Sequence, residues 1–196
     1  SIVSRAVSSP HILVGDVLVA IAKLASYVRG ELKGLKVIGI TGSQGKTTTK
    51  DLLFSILSNE GETIASLASF NNELGVPLTL LRCTDKSKYC ILEMGARKSG
   101  DIAALTSLAN PDVGAVLKVG NAHLGQFGSQ EMIAKTKGEL IAGLKSGAVA
   151  VLGTYDSFTP EMASAKGVMR VTFGDSAKCD IRAADIKPGE ALPTLI

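Results

Sequence analysis

Val37-Ile-Gly-Ile-Thr-Gly-Ser-Gln-Gly-Lys-Thr-Thr-Thr-Lys50 decides how this chain is read. The short apolar run Val37–Ile40 is predicted to be a strand, a loop bracketed by Gly42 and Gly45 follows it, and a lysine and three threonines open a helix. Such a strand–loop–helix is a phosphate cradle. The glycines let backbone N–H groups turn inward, Lys46 reaches terminal phosphates, and the Thr47 hydroxyl is placed for Mg²⁺. The positive end of the helix dipole falls on the same spot. Thr41, Gly42, Ser43, Gln44, Gly45, Lys46, Thr47 and Thr48 are therefore the candidate nucleotide-binding residues. Ile40 stands where the usual phosphate-loop pattern has its first glycine, so the match is to a tighter Thr-Gly-x-x-Gly-Lys-Thr form. The competing reading is an ordinary glycine-rich strand-to-helix turn.

Outward from this loop the chain alternates. Helices are expected over about 46–59, 73–82, 101–109, 129–144 and 159–165, and strands over 63–66, 89–94, 113–119, 148–152 and 168–173. Upstream, Asp16 reads as the cap of a helix carrying Val17, Ile21, Leu24 and Val28 on one face and closed by Gly30. The segment from Cys179 to Ile186 reads as the start of a new, antiparallel strand. Continuous apolar strands alternating with helices predict a three-layer, doubly wound α/β fold with a mostly parallel sheet.

Bulk composition narrows the function. In 196 residues, 45% are hydrophobic and 20% charged, with a net charge of +3 and mixed signs, which describes a globular chain of about one domain. No basic run is interleaved with aromatics, which make up only 4%, and Trp is absent, so nucleic acid is not an expected partner. Ile12–Ala22 is broken by Gly15 and Asp16 and is too short to span a bilayer, so no membrane partner is expected. Cys83, Cys90 and Cys179 form no Cys-x-x-Cys pair and read as buried thiols in a reducing, cytoplasmic compartment. The chain starts at Ser1 without a secretory pattern and reads as a piece of something longer.

A second layer of chemistry lies at the carboxyl ends of the other predicted strands, where ligands bind in open parallel sheets. Glu93 ends one strand, and Gly120-Asn-Ala-His123 follows another. Glu93 suits Mg²⁺, which prefers oxygen, or is a solvated strand end. His123 is a ligand for a second divalent ion, or a loop-capping histidine. On the helix around 129–144, Lys137 shares the apolar face of Ile133, Leu140 and Leu144, while Lys135 points elsewhere. A lysine on such a face either snorkels at its edge or is altered, and a lysine of lowered pKa can take up CO₂ as an anionic carbamate able to ligate Mg²⁺.

Five motifs occur in order: Thr41-Gly-Ser-Gln-Gly-Lys-Thr-Thr48, Asn71-Asn-Glu-Leu-Gly-Val-Pro77, Glu93-Met-Gly-Ala96, Gly120-Asn-Ala-His-Leu-Gly125 and Ala134-Lys-Thr-Lys-Gly-Glu139. Together they resemble the central ATPase domain of the Mur ligases, over about residues 16–186. The resemblance implies an ATP-dependent ligase of peptidoglycan biosynthesis that forms an amide bond through an acyl phosphate. Its implied substrates are UDP-N-acetylmuramoyl-tripeptide and D-Ala-D-Ala, its implied cofactors ATP and two Mg²⁺ ions. By resemblance Thr47 and Glu93 hold the first ion, and His123 and carbamylated Lys137 the second, with Lys46, His123 and Lys137 as the catalytic set. Asn71 and Asn72 either line the phosphate and peptide cleft or form a turn and helix cap. There are two departures: Lys118 stands where family members commonly have Asn, and of the family's flanking domains the first is expected to be at most a remnant and the last absent. Residues 1–30 are expected to be a remnant of the N-terminal domain with its linker helix. Residues 31–196 are expected to form the central domain, cut short of the C-terminal one. Such a fragment is expected to be a monomer, to bind nucleotide weakly and not to ligate. Alternatives within reach are a Mur-type or folylpolyglutamate-type ligase for another amino acid, or a nucleotide-binding module without catalysis.

Overall fold

The computed structural model describes residues 1–120 and 124–183. Two short strands, β1 (Ile2–Val3) and β2 (Ile12–Leu13), pair in parallel ahead of helix α1 (Val17–Glu31). The main body follows in the order β3 (Lys36–Thr41), α2 (Lys46–Leu57), β4 (Thr63–Ala65), α3 (Gly75–Leu80), β5 (Tyr89–Glu93), α4 (Asp101–Ala109), β6 (Val113–Val116), α5 (Leu124–Phe127), α6 (Gln130–Ala142), β7 (Val149–Gly153), β8 (Met169–Gly174) and β9 (Ile181–Arg182). A short 3₁₀ turn, Thr159–Glu161, lies between β7 and β8, where the sequence predicts a longer helix.

Strands β3 to β9 form one sheet in the order β4-β5-β3-β6-β7-β8-β9, with every pairing parallel. The antiparallel direction expected near Cys179 is therefore corrected: β9 runs parallel to β8, with Phe173 opposite Ile181 and Gly174 opposite Arg182. The reason is local. Asp180 Oδ2 accepts from the Thr172 amide at 2.8 Å and from its hydroxyl at 2.7 Å, so the chain has already doubled back to Thr172 before Ile181 pairs.

Helices cover the sheet on both sides, making three layers. Val37, Cys90, Leu92, Val116, Ala150 and Leu152 point to one face and pack on Ala25, Val76, Leu80, Ile102, Leu105, Ile133, Leu140 and Ile141 of α1, α3, α4 and α6. Ile40, Ile91 and Ala115 point to the other, where Leu53 and Leu57 of α2 meet them. The alternation is the period of two expected of strands buried on both faces. Each fully buried Leu or Ile contributes about 1.5–3 kcal/mol by leaving water. Helix α1 belongs to this packing: Ala25 is fully buried, and the Arg29 guanidinium donates to Ala109 O, Asn110 O and Asp112 Oδ2.

Gly30, expected to close α1, lies inside the helix, which runs on to Glu31 and is capped at Leu32, whose N–H donates to Val28 O. Asp16 accepts from Val19 N at the start of α1, and Ser129 accepts from Met132 N at the start of α6. Asn110 closes α4 in the left-handed region, at φ 43°.

Candidate active site

The sheet places its chemistry at the carboxyl ends of β4, β5, β3 and β6. Beyond Thr41 the loop turns through Gly42 and Gly45 into α2. A Cβ at Gly42 would sit 3.1 Å from Leu117 Cβ, and Gly45 adopts φ 83°, a left-handed conformation that favours glycine. Lys46 Nζ donates to Gly42 O at 3.0 Å, keeping its ammonium folded over the loop. Gln44 and Thr48 are exposed. The Thr41 hydroxyl is buried and finds no hydrogen-bond partner among the described residues.

Ser43 connects the loop to the next strand's end. Its hydroxyl accepts from Gly120 N at 2.9 Å and its amide donates to Lys118 O at 2.8 Å, tying the phosphate loop to the segment after β6. That segment is held again at Val119, whose N–H donates to Asp156 Oδ2 at 2.9 Å. The Lys118 side chain is exposed, and only its backbone carbonyl enters this network, so the departure from Asn leaves the contact intact. His123, the expected second metal ligand and catalytic residue, lies outside the described residues, as do Asn121 and Ala122.

Glu93, at the end of β5, is only 2% exposed and is not a solvated strand end. Its Oε2 accepts from Thr47 Oγ1 at 2.8 Å and its Oε1 from Asn71 Nδ2 at 2.9 Å. Its amide donates to Ser66 Oγ at 3.2 Å, and Ser66 O in turn accepts from buried Lys50 Nζ at 3.1 Å. Of the two roles left open for Asn71 and Asn72, the structure shows the turn for Asn72 alone and a place in the cleft wall for both. Both line the cleft, while Asn72 Oδ1 also accepts from Gly75 N at 2.9 Å and closes a turn into α3.

Among the described residues no three His, Cys, Asp or Glu side chains gather as a metal cluster. The Thr47–Glu93 oxygen pair instead suits an ion that keeps waters and takes phosphate oxygens, which is the habit of Mg²⁺. Residues and ion fit.

Lys137 on α6 is 7% exposed, lines the cleft together with Lys46, and does not snorkel out of it. Burial, and secondarily the charge of Lys46, lower its pKa from the usual 10.5 to about 8. Two residues on, Glu139 fixes the same helix to the opposite wall: Oε1 accepts from Ser99 Oγ at 3.0 Å and Gly100 N at 2.7 Å, and Oε2 from Ala103 N at 3.0 Å. Glu139 is thus a remote N-terminal cap for α4. Glu139→Ala is expected to cost about 1–2 kcal/mol, by the loss of a helix cap and its backbone bonds. Urea unfolding checks it through a lower midpoint at unchanged slope.

One cleft of about 230 Å³ therefore joins Gly42, Lys46, Asn71, Asn72, Arg97 and Lys137. Glu93 connects to it through Thr47 and Asn71. Sequence reasoning assigned no role to Ser66, Lys50, Arg97, Glu139 or Asp156. Arg97 and Glu139 sat inside or beside motifs already singled out. Ser66 carries no local signal, because the Glu93 amide it accepts from lies 27 residues away, whereas Asp156 could have been read as the start of a turn, since it also accepts from Phe158 N and Thr159 N, and only its bond to Val119, 37 residues back, is hidden from the sequence.

Comparison with known proteins agrees with this geometry. Residues 40–192 match the Mur ligase middle domain. The UDP-N-acetylmuramoyl-tripeptide–D-alanyl-D-alanine ligase of Mycobacterium bovis is 47% identical over 187 residues, covering 88% of this chain and 37% of the relative. A solved UDP-N-acetylmuramoylalanyl-D-glutamyl-2,6-diaminopimelate–D-alanyl-D-alanyl ligase from Acinetobacter baumannii superposes with a TM-score of 0.85 at 35% identity, over 95% of this chain and 41% of that one. A MurF ligase from Thermotoga maritima in complex with ADP does so with a TM-score of 0.76 at 37% identity, over 89% and 41%. The chain thus spans well under half the length of these relatives.

Proposed function

The chain belongs to the Mur ligase family, and from that premise we propose that it is the ATP-binding middle part of a ligase that joins D-Ala-D-Ala to UDP-N-acetylmuramoyl-tripeptide. In this reading residues 31–196 serve as the nucleotide-binding unit, and residues 1–30 link it to the region that grips the uridine nucleotide. The observation that carries the reading is the meeting of Lys46, Asn71 and Lys137 in one cleft, with the Thr47–Glu93 pair hydrogen-bonded at its edge.

The reaction follows from charge. A carboxylate oxygen of the tripeptide attacks the terminal phosphorus of ATP, the bond to the bridging oxygen breaks, and ADP leaves. The dipeptide amine then attacks the acyl carbon, the carbon–oxygen bond to phosphate breaks, and the amine nitrogen gives up its proton. Negative charge passes between phosphoryl and carboxylate oxygens throughout. Lys46 would screen it, and the backbone N–H groups around Gly45 and the start of α2 would orient the phosphates; the ammonium folded over the loop at Gly42 O supports this. Asn71 and Ser66 hold Glu93 in a single orientation, so that the Thr47 hydroxyl and the carboxylate stay together. Mg²⁺, when bound, neutralises the transferring phosphoryl oxygens. Thr47 and Glu93 would hold the first ion. Lys137 as a carbamate, together with His123, would hold the second. The depressed pKa of Lys137 supports this, because only the neutral amine adds CO₂.

The test uses the full-length protein with UDP-N-acetylmuramoyl-tripeptide, ATP and a panel of amino acceptors. ADP release matched by UDP-N-acetylmuramoyl-pentapeptide is expected with D-Ala-D-Ala. Turnover with a single amino acid and none with the dipeptide would place the enzyme elsewhere in the family. ADP release with no acceptor consumed would make it a module without ligase chemistry.

A further inference from the structure

The cleft contains two opposite charges that the ligase chemistry leaves unused. Glu73 and Arg97 both line it, and among the described residues neither takes part in an ion pair or side-chain hydrogen bond. Every other nearby acid is committed. Asp101 Oδ2 accepts from the backbone N–H groups of Arg97 at 2.9 Å and Lys98 at 3.0 Å. Both Glu93 oxygens face Thr47 and Asn71, and both Glu139 oxygens face the start of α4. The Arg97 backbone is therefore clamped while its guanidinium stays uncommitted. Glu73 sits next to Asn72, whose side chain is tied into the turn before α3. Both residues follow strands on the same side of β3, Glu73 after β4 and Arg97 after β5, while the Gly120 loop follows β6 on the other side.

Arg97 and Glu73 are exposed at the cleft, and a guanidinium on a clamped backbone beside a carboxylate, not spent on each other, suits a ligand end that carries both a carboxylate and an ammonium. We propose that Arg97 and Glu73 are specificity-determining residues that read such a zwitterionic head group on the residue being activated. This rests on the ligase reading above. In that reading the carboxylate reacts at the phosphoryl group beside Lys46, and Lys46, Glu73 and Arg97 line one cleft, which puts the far end of the same residue within reach of the two charges. A 2,6-diaminopimelyl residue carries that second head group; a lysyl residue offers the ammonium alone. Arg97 takes the carboxylate as a fork, and Glu73 takes the ammonium.

Full-length enzyme assayed with the diaminopimelyl and the lysyl tripeptide nucleotides tests this. Arg97→Ala is expected to raise KM for the diaminopimelyl substrate at least tenfold, with kcat lowered less than threefold, and to leave KM for the lysyl substrate unmoved. Arg97→Lys should give an intermediate loss, because it keeps the charge but not the fork. Glu73→Gln should raise KM for both substrates. An unchanged KM for the diaminopimelyl substrate in Arg97→Ala overturns the proposal and leaves the ligase reading standing. So does a loss that falls on ATP, or on the D-Ala-D-Ala dipeptide, the other source of a zwitterion. If the unmodified enzyme ligates neither tripeptide, the ligase reading falls, and this proposal falls with it.

Discussion

Lys137→Met is expected to stabilise the folded chain at pH 7 while reducing ligation by the full-length enzyme at least a thousandfold. The stability half follows from linkage. Burial and the charge of Lys46 bring the folded-state pKa to about 8, against 10.5 for an unperturbed lysine. Between those two values the unfolded chain binds more protons than the folded one, so stability rises with pH across that window. Below pH 8 the whole penalty is present, and above 10.5 it vanishes. A displacement of this size corresponds to about 3 kcal/mol at most. Methionine fills similar volume without a charge to bury, so a gain of about 1–3 kcal/mol is expected, shrinking as the pH is raised towards 10. Thermal unfolding in CO₂-free buffer measures it, at about 2–4 °C per kcal/mol for a chain of this size. The activity half follows because the side chain that would hold the second ion is gone. Undiminished ligation by Lys137→Met would remove the carbamate from the mechanism. A lowered melting temperature would mean that Lys137 finds more compensation in the fold than burial alone implies.

Glu93→Gln is expected to lower kcat/KM for ATP by about a thousandfold, a loss on the scale of removing a preorganised charge at a phosphoryl-transfer site. The Mg²⁺ concentration needed for half-maximal activity should rise with it. The fold should be nearly untouched, with a stability change under about 1 kcal/mol, because the amide can still accept from Asn71 and turn its N–H towards the Thr47 hydroxyl. The two readouts separate a charge that serves the metal from a buried polar group that serves the core. A normal Mg²⁺ titration in this variant would take Glu93 out of the metal site. A large fall in melting temperature with unaltered Mg²⁺ dependence would assign it to the core.

What was legible in the sequence was whatever chain proximity and periodicity encode. The phosphate loop is one uninterrupted stretch, from Thr41 to Thr48, so its chemistry could be read without knowing the fold. Lys137 could be placed on the apolar face of α6 because residues three, four and seven apart share a helix face. Strand after strand read as apolar because a parallel sheet is buried on both sides. The direction of β9 was missed because it depends on a clasp between Asp180 and Thr172 that no local pattern marks.

The sequence by itself determined the three-layer parallel architecture, the strand–loop–helix around Thr41–Thr48 and the family, since each is written in neighbouring residues or a regular period. Only the tertiary structure decided that Glu93 grips Thr47 across 46 residues, that Ser43 accepts from the Gly120 amide, and that Glu139 caps a helix 36 residues before it. Only it brought Arg97 and Glu73 to the same cleft with no side-chain partner among the described residues. The physical reason is that a hydrogen bond is set by a few tenths of an ångström, and where two loops meet to that tolerance depends on how every layer of the sheet packs beneath them.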